Sequence, residues 1–397
     1  MLLETLDRID SGLLHKLCAD QCPESNTLDF KRELPGGLDK DKHELLKDVC
    51  ALANTDGGDL VYGVEEKAGV ASMLIPITNE SADAAKRRIF QVLDAGLEPR
   101  VQGVRLHHVE VEAGYALVVR VPSSFDGPHC VRTNNNRRFV MRNGTGTTDL
   151  TFDQLRAAFD RTATLAERAR RFIAARLQLI IDHKTPKPLI AGPIWVVHLV
   201  PVAGLAGRHT VDLNTLYSKD FTQFLDNDWG SGSRTFNLDG LVVHPGSHEN
   251  GGYYAYNHIF RTGAMESASL GGAKRQMQPG TPERSIVWSL EMSKFFRKSV
   301  DNFLEHAKRW GFAGPAVLSV AVLHVGGYEL GIGDAFQFFS KAASDRPHLI
   351  IPEIWIQSLD TAEIDSTVRP LMDMLWQAFG AERCLDFDPT TGAYKPR

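Results

Sequence analysis

The run ESNTLDFK, residues 24–31, decides how the first part of the chain is read. Leu28 and Phe30 alternate with Asp29 and Lys31, the two-residue period of a short strand with one apolar and one charged face. Glu24 lies just ahead of that strand. Carboxylates at strand ends are ordinarily solvated, so this pair gains meaning only if another element brings more acid to it. The candidate is DLVYGVEE, residues 59–66, a nearly continuous apolar run expected to be a strand buried on both sides. It closes on Glu65 and Glu66. If the two strands are neighbours, Glu24, Asp29 and Glu65 (or Glu66) converge at one end of a sheet. Such oxygen-rich sets suit Mg²⁺ or Mn²⁺, and a metal there can orient a phosphodiester and activate its nucleophile.

Working outward, residues 1–20 predict an amphipathic helix with Leu2, Leu6, Ile9, Leu13 and Leu14 at helical spacing. DKDKHELLKDVCALANTDGG predicts a helix starting near Asp39 or Asp41. Its apolar stripe is Leu45, Val49, Leu52 and Ala53, and Gly57-Gly58 stops it. A helix follows over residues 80–97, then a hairpin of 101–112 with 115–121 turning at Ala113-Gly114. RRFVMRNGTGTT predicts a short strand entering a turn, and the long run from Phe152 predicts a helix leading out of the first domain. Three prolines in residues 185–193 mark a boundary. Beyond them PIWVVHLVP, LDGLVVH, YYAYNHIF, PAVLSVAVLHV and HLIIPEIWIQ predict strands, and residues 282–310 and 361–379 predict helices. The fold class is therefore α+β twice over: a helix at 1–20, a mixed-sheet domain at 21–160, a helical linker at 161–190 and a second α+β domain at 191–397. Ligand sensing or oligomerisation, as a homo-oligomer, are the roles open to that second domain.

The 397 residues favour two domains, and 43% apolar with 23% charged residues is an ordinary globular balance. A net charge of −5 argues against a generally basic nucleic-acid binder but not against a local basic face. The N-terminus lacks the unbroken apolar stretch of a signal peptide, and no segment reaches membrane-spanning length. Five scattered cysteines fit reduced thiols in a cytoplasm rather than a disulfide framework. A soluble cytoplasmic protein is expected, with no membrane partner.

A basic set is spread through the same region: Lys31, Arg32, Lys86, Arg87, Arg88, Arg132, Arg137, Arg138 and Arg142. Lys86 to Arg88 fit a solvated helix face. The stretch VRTNNNRRFVMRNGTGTT mixes arginine forks, Asn amides and a Gly-Thr-Gly turn, the chemistry a phosphate backbone needs. NTDGG and NGTG lack the GxxxxGK[ST] pattern, so a nucleotide-binding or ATPase role has little local support. His15, Cys18 and Cys22, with His129-Cys130, offer zinc-ligand types without a complete four-ligand spacing. His198, His244, His248 and His324 sit in apolar strand contexts where packing is the ordinary role. YYAYNHIF alternates as a sheet-packing strand does, rather than as a base-stacking platform.

Taken in order, ESNTLDFKRELP, ELLKDVCALANTDGGDLVYGVEE and RRFVMRNGTGTT resemble the Schlafen/AlbA-type nucleic-acid-binding domain family over about residues 21–160. The family pattern runs E-S-x-x-x-E-F-K, a helix ending A-N-T-x-G-G, a strand ending G-V-D-D and a late R-x-G-[ST]-x-T. The resemblance implies a nucleic-acid partner, RNA before DNA. In nuclease members it implies metal-dependent cleavage of tRNA or related RNA by three carboxylates, some in phage-defence settings. Carried over, those positions are Glu24, Asp29 and Glu65, with Glu66 the alternative, and the implied cofactor is Mg²⁺ or Mn²⁺. Lys31, Arg32, Arg132, Arg137, Arg138 and Arg142 would hold the backbone. Two departures stand out: Asp29 replaces the pattern's Glu and Glu65 its Asp, moving each carboxylate by one methylene in opposite directions. Other bacterial members resemble DNA-binding regulators, so a non-catalytic regulator with a ligand-sensing C-terminal domain is the alternative.

Overall fold

The structure, a computed structural model, describes residues 2, 6–124, 127–133, 136–207, 209–219, 232–271, 273–276, 284–312, 314–333, 338–339 and 342–396. It divides into two units, residues 1–166 with 313–315, and residues 167–312 with 316–397.

In the first unit a 3₁₀ turn at Leu6–Arg8 precedes α1 (Ser11–Ala19). The continuous helix expected over residues 1–20 is interrupted because Asp10 takes an extended backbone and accepts the Leu13 N–H, capping a new helix instead of extending the old one. Residues 1 and 3–5 of that expectation lie outside the described residues. There follow β1 (Leu28–Lys31), α2 (Asp39–Ala53), β2 (Gly58–Tyr62), β3 (Val64–Lys67), β4 (Val70–Leu74), α3 (Ala82–Gly96), β5 (Leu97–Glu98), β6 (Arg105–Val111), β7 (Gly114–Val121), β8 (Cys130–Thr133), β9 (Asn136–Arg138), β10 (Val140–Asn143) and β11 (Gly146–Asp149).

The central sheet has the order β1-β2-β7-β6, with β1 and β2 parallel and the other pairs antiparallel. Leu45, Val49 and Leu52 of α2 pack on one face against Leu60, Tyr62, Leu117 and Val119. Leu6, Ile9 and Leu14 pack on the other against Phe30, Val61 and Val118. Covered on both faces, β2 is buried along its whole length. Leu28 and Phe30 belong to the cluster beneath α1, so the pleat turns Asp29 and Lys31 toward α2. The predicted strand through residues 59–66 is in fact two strands. Gly63 takes φ +92°, where a Cβ would stand 3.2 Å from the Ile75 carbonyl oxygen, and the chain leaves the sheet there. Glu65 and Glu66 thus lie on β3, which among the described residues pairs only with β4 and has an irregularity between those two residues.

The helix α4 (Phe152–Ile181) contains the division between units. In the second unit come β12 (Ile194–Pro201), short helices α5 (Val202–Leu205) and α6 (Leu213–Lys219), β13 (Ser233–Phe236), β14 (Gly240–His244), β15 (Ala255–Phe260), β16 (Met265–Leu270), β17 (Ala273–Gln276), β18 (Arg284–Trp288), α7 (Ser289–Arg309), β19 (Ala316–Leu323), β20 (Glu329–Ile332), β21 (Phe338–Phe339), β22 (His348–Ile350), β23 (Ile354–Ile356) and α8 (Ile364–Gln377). An antiparallel sheet runs β13-β14-β15-β16-β12-β19-β22, with β23 also on β19. Its core face carries Trp195, Val197, Leu199, Leu318 and Val320. These pack with Phe296, Val300 and Phe303 of α7 and Leu371 and Leu375 of α8. The helix expected over 282–310 begins instead with β18: the run Ser285-Ile286-Val287-Trp288 is β-branched and aromatic, and it joins a second sheet, β17-β18-β20-β21. Residues 282 and 283 lie outside the described residues. No helix among the described residues is long and apolar enough to cross a membrane.

Candidate functional site

The parallel pairing of β1 with β2 sets Asp29 beside Leu60 and Lys31 beside Tyr62. Facing α2, Asp29 is 3% exposed, and the Lys31 ammonium stands 3.1 Å from its Oδ2. The same ammonium lies 3.5 Å from Oδ2 of Asp48, a buried carboxylate on α2. Arg142 of β10, also buried, brings Nη1 to 3.5 Å from Asp29 Oδ2 and donates Nη2 to the Ser25 carbonyl at 3.3 Å. Burial pushes the Asp48 carboxyl above the ordinary aspartate range, partly offset by Lys31. Burial opposes the Lys31 charge, but Asp48 and Asp29 more than compensate and hold it above the ordinary lysine value.

Glu24 is fixed from both sides. Its backbone N–H donates to the Gly69 carbonyl at 2.8 Å, and its Oε1 accepts the Phe30 N–H at 2.9 Å. Burial first, then the hydrogen bond and charge of Asp29 and the charge of Glu66, push the Glu24 carboxyl up to about 7. Glu65 is turned to other partners: Arg32 Nη1 at 2.6 Å and Lys67 Nζ at 3.7 Å. The proposed trio Glu24, Asp29 and Glu65 is therefore not gathered. Glu66, exposed and accepting the Gly69 N–H, is the second carboxylate, after Asp29, whose charge reaches Glu24. The reason is Gly63, which takes the Glu65-Glu66 pair out of the central sheet. Among the described residues no group of three or more His, Cys, Asp or Glu side chains is arranged to hold a metal ion.

The ANTDGG segment joins these pieces. Asn54, at the C-cap of α2, donates Nδ2 to the carbonyls of His129 (2.9 Å) and Val140 (2.8 Å) and accepts the His129 N–H at 2.7 Å. One amide thus ties α2 to β10 and to the chain entering β8, next to Arg142. Gly57, at φ +71°, answers to the backbone rather than to a phosphate: a Cβ there would lie 2.5 Å from the Ser123 nitrogen.

The six basic candidates divide. Lys31 and Arg142 are turned inward onto Asp29, and Arg32 holds Glu65. Arg132, Arg137 and Arg138 are exposed on the β8–β9 hairpin, where Arg132 stands directly opposite Arg137. Arg137 reaches Glu98 at 2.9 Å, and Arg138 grips both oxygens of Asp149, the nearer at 2.9 Å. Lys86 contacts His108 Nδ1 at 2.8 Å, while Arg88 bonds both oxygens of Glu80.

The three motifs that meet around Asp29 fall inside one family match: residues 24–151 fit the Schlafen, AlbA_2 model. This part of the chain is a Schlafen/AlbA-type domain. Two solved structures resemble the chain loosely. One is the N-terminal domain of a RecG-related protein from Nitrosomonas europaea, 19% identical, covering 35% of this chain and 90% of that one at a TM-score of 0.26. The other is the DIP2311 protein from Corynebacterium diphtheriae, 13% identical, covering 66% and 69% at a TM-score of 0.25. Similarity at that level carries no functional argument. No curated protein matches the sequence.

Of the zinc-ligand types, only His129 has both ring nitrogens engaged among the described residues. His129 is fully buried, with Nδ1 2.7 Å from the Pro99 carbonyl and Nε2 2.6 Å from Ser124 Oγ. Cys18, Cys22, Cys50, Cys130 and Cys384 are all free thiols, and His15 is exposed.

In the second unit the structure supplies a network that sequence reasoning missed. Glu266 of β16 is fully buried and accepts four hydrogen bonds: Arg176 Nε and Nη2 (both 2.8 Å), His198 Nε2 (2.9 Å) and the Tyr256 hydroxyl (2.8 Å). Burial pushes its carboxyl up, but Arg176 and His198 outweigh burial and hold it well below the carboxylate range. His258, pushed down to about 4 chiefly by burial, is neutral. His198 is the visible clue in the sequence; its acid sits in MESASL, a run too poor in large apolar residues to announce a strand. His244 bonds the Pro245 carbonyl at 2.8 Å, His248 lies in a turn, and His324 stacks on His183 at 4.9 Å. Tyr256 and its strand pack the sheet.

Proposed function

We propose that the Schlafen/AlbA-type domain binds nucleic acid, RNA in preference to DNA, and that the β8–β9 hairpin is its phosphate-binding surface. The observation that carries this reading is the exposed Arg132–Arg137 cross-strand pair with Arg138 beside it. Arg137 and Arg138 are held by the exposed Glu98 and Asp149, surface pairs that contribute little, and a phosphate backbone can take over their forked donors. The test is fluorescence anisotropy with labelled tRNA, single-stranded RNA and duplex DNA across a salt series. Removing one arginine that neutralises a phosphate should flatten the log–log salt slope by about one. Arg132→Ala with Arg137→Ala should therefore weaken all sequences alike. Unchanged affinity and slope in that double variant would remove the reading.

A sharper form is an endoribonuclease acting on tRNA or other structured RNA. It is favoured by Glu24, whose carboxyl is pushed to about 7 beside Asp29, because a group titrating near neutrality can donate or accept a proton at working pH. Cleavage abolished in Glu24→Gln supports it. Binding without any product, unchanged by that substitution, leaves a non-catalytic binding protein such as a DNA-binding regulator.

A further inference from the structure

We propose that Lys31 is a resident cation of the Schlafen/AlbA-type domain: its ammonium fills the position from which a divalent ion would bridge Asp29 of β1 and Asp48 of α2. The proposal does not rest on nucleic-acid binding. It starts from the pleat, which puts Asp29 and Lys31 on one face of β1, opposite α2. Asp48 lies on the same helical stripe as Leu45 and Leu52, three residues after one and four before the other, so α2 brings a carboxylate to that face. The result is two buried carboxylates from different elements with one ammonium between them, 3.1 Å from the first and 3.5 Å from the second.

Charge and coordination then argue together. Asp29 and Asp48 carry two negative charges, and Lys31 with Arg142, 3.5 Å from Asp29, supplies two positive ones. The remaining carboxylates are also engaged: Glu24 by the Phe30 N–H, Glu65 by Arg32 and Glu66 by the Gly69 N–H. Mg²⁺ or Mn²⁺ needs several oxygen ligands around one point. An ion entering here would meet an ammonium and a guanidinium already beside its best ligand. Asp48, which no resemblance nominates, thus completes a cation site whose cation is covalently attached.

Full-length protein, wild type and variants, should be titrated with Mn²⁺, following bound metal by electron paramagnetic resonance and stability by thermal melting. The wild type should take up no Mn²⁺ that Asp29→Asn or Asp48→Asn removes. A wild-type site that survives both substitutions lies elsewhere and agrees with the proposal. Lys31→Gln should melt lower than wild type, then bind one Mn²⁺ at least tenfold more tightly and regain part of the melting temperature. Adding Asp48→Asn should abolish the gain. Stoichiometric wild-type binding that disappears in Asp29→Asn overturns the proposal, as does a folded Lys31→Gln that gains no Mn²⁺. If Lys31→Gln does not fold, Lys31→Arg, which keeps a cation, should fold and remain without Mn²⁺; one that takes up Mn²⁺ at Asp29 also overturns it.

Discussion

Glu266→Gln should destabilise the second unit severely although it touches no exposed surface. The carboxylate accepts four hydrogen bonds, two of them from the guanidinium of an arginine only 9% exposed. Glutamine keeps one acceptor oxygen and presents an amide N–H₂ where Arg176 Nε and His198 Nε2 already donate to Oε2 of Glu266. Arg176 is left charged and buried without its counter-ion, a situation that typically costs about 3–5 kcal/mol. At about 2–4 °C per kcal/mol for a unit of this size, the melting temperature should fall by about 6–20 °C. Differential scanning calorimetry of the full chain, following the transition of the second unit, is the assay. The double variant Arg176→Met, Glu266→Leu should recover much of the loss, since it removes the uncompensated charge as well as its partner. The pH dependence has a definite sign. A carboxyl held below its unfolded value of 4.5 contributes fully above that value and progressively less as pH falls. The difference between wild type and Glu266→Gln should therefore be largest near neutrality and shrink below about pH 4. A drop of less than about 2 °C at pH 7, or one that grows on acidification, would refute the reasoning.

Glu24 has the opposite sign. Its folded value of about 7 lies above the unfolded 4.5, so its contribution is fully present below 4.5 and lost as pH rises through 7; Glu24→Gln should flatten melting temperature against pH between 5 and 8. Asn54→Ala removes the amide's hydrogen bonds to the His129 and Val140 carbonyls and the acceptor of the His129 N–H, so it should cost roughly 2–4 kcal/mol in urea unfolding. Gly57→Ala should cost at least about 1 kcal/mol from its positive φ alone, more once its Cβ meets Ser123. In the binding assay, Arg142→Lys should leave the salt slope unchanged while lowering stability, because Arg142 is buried on Asp29 rather than offered to solvent.

What could be read from the sequence was what local pattern encodes. Alternation in TLDFK, the stripe of α2 and the apolar run of β2 located these three elements along the chain, and motif order pointed to the domain type. What failed needed a third dimension. Gly63 looked like a residue inside a strand, but its backbone conformation moves Glu65 and Glu66 to another sheet. Lys31 and Arg142 looked like surface cations; only the pleat and the approach of β10 show that both serve as counter-ions to buried carboxylates, Arg142 itself buried and Lys31 half-buried. Asp48 could have been found, since an acid on the buried stripe of a helix demands a partner. Glu266 could not, because its strand is built largely of small and polar residues.

That weakness of β16 gives the row of polar side chains across β12, β16 and β15 a further consequence. His198, Glu266 and His258 stand opposite one another on adjacent strands. Apart from Glu266 itself, one face of β16 carries Ala268 and Leu270, and the other carries Met265, Ser267 and Ser269, so apolar contrast alone distinguishes poorly between alternative alignments. A slip by one residue would drive a carboxylate into the packing of α7 and leave Arg176 facing a serine. The ionic row is therefore an alignment key: it makes one pairing of the central strands tolerable and its nearest neighbours costly.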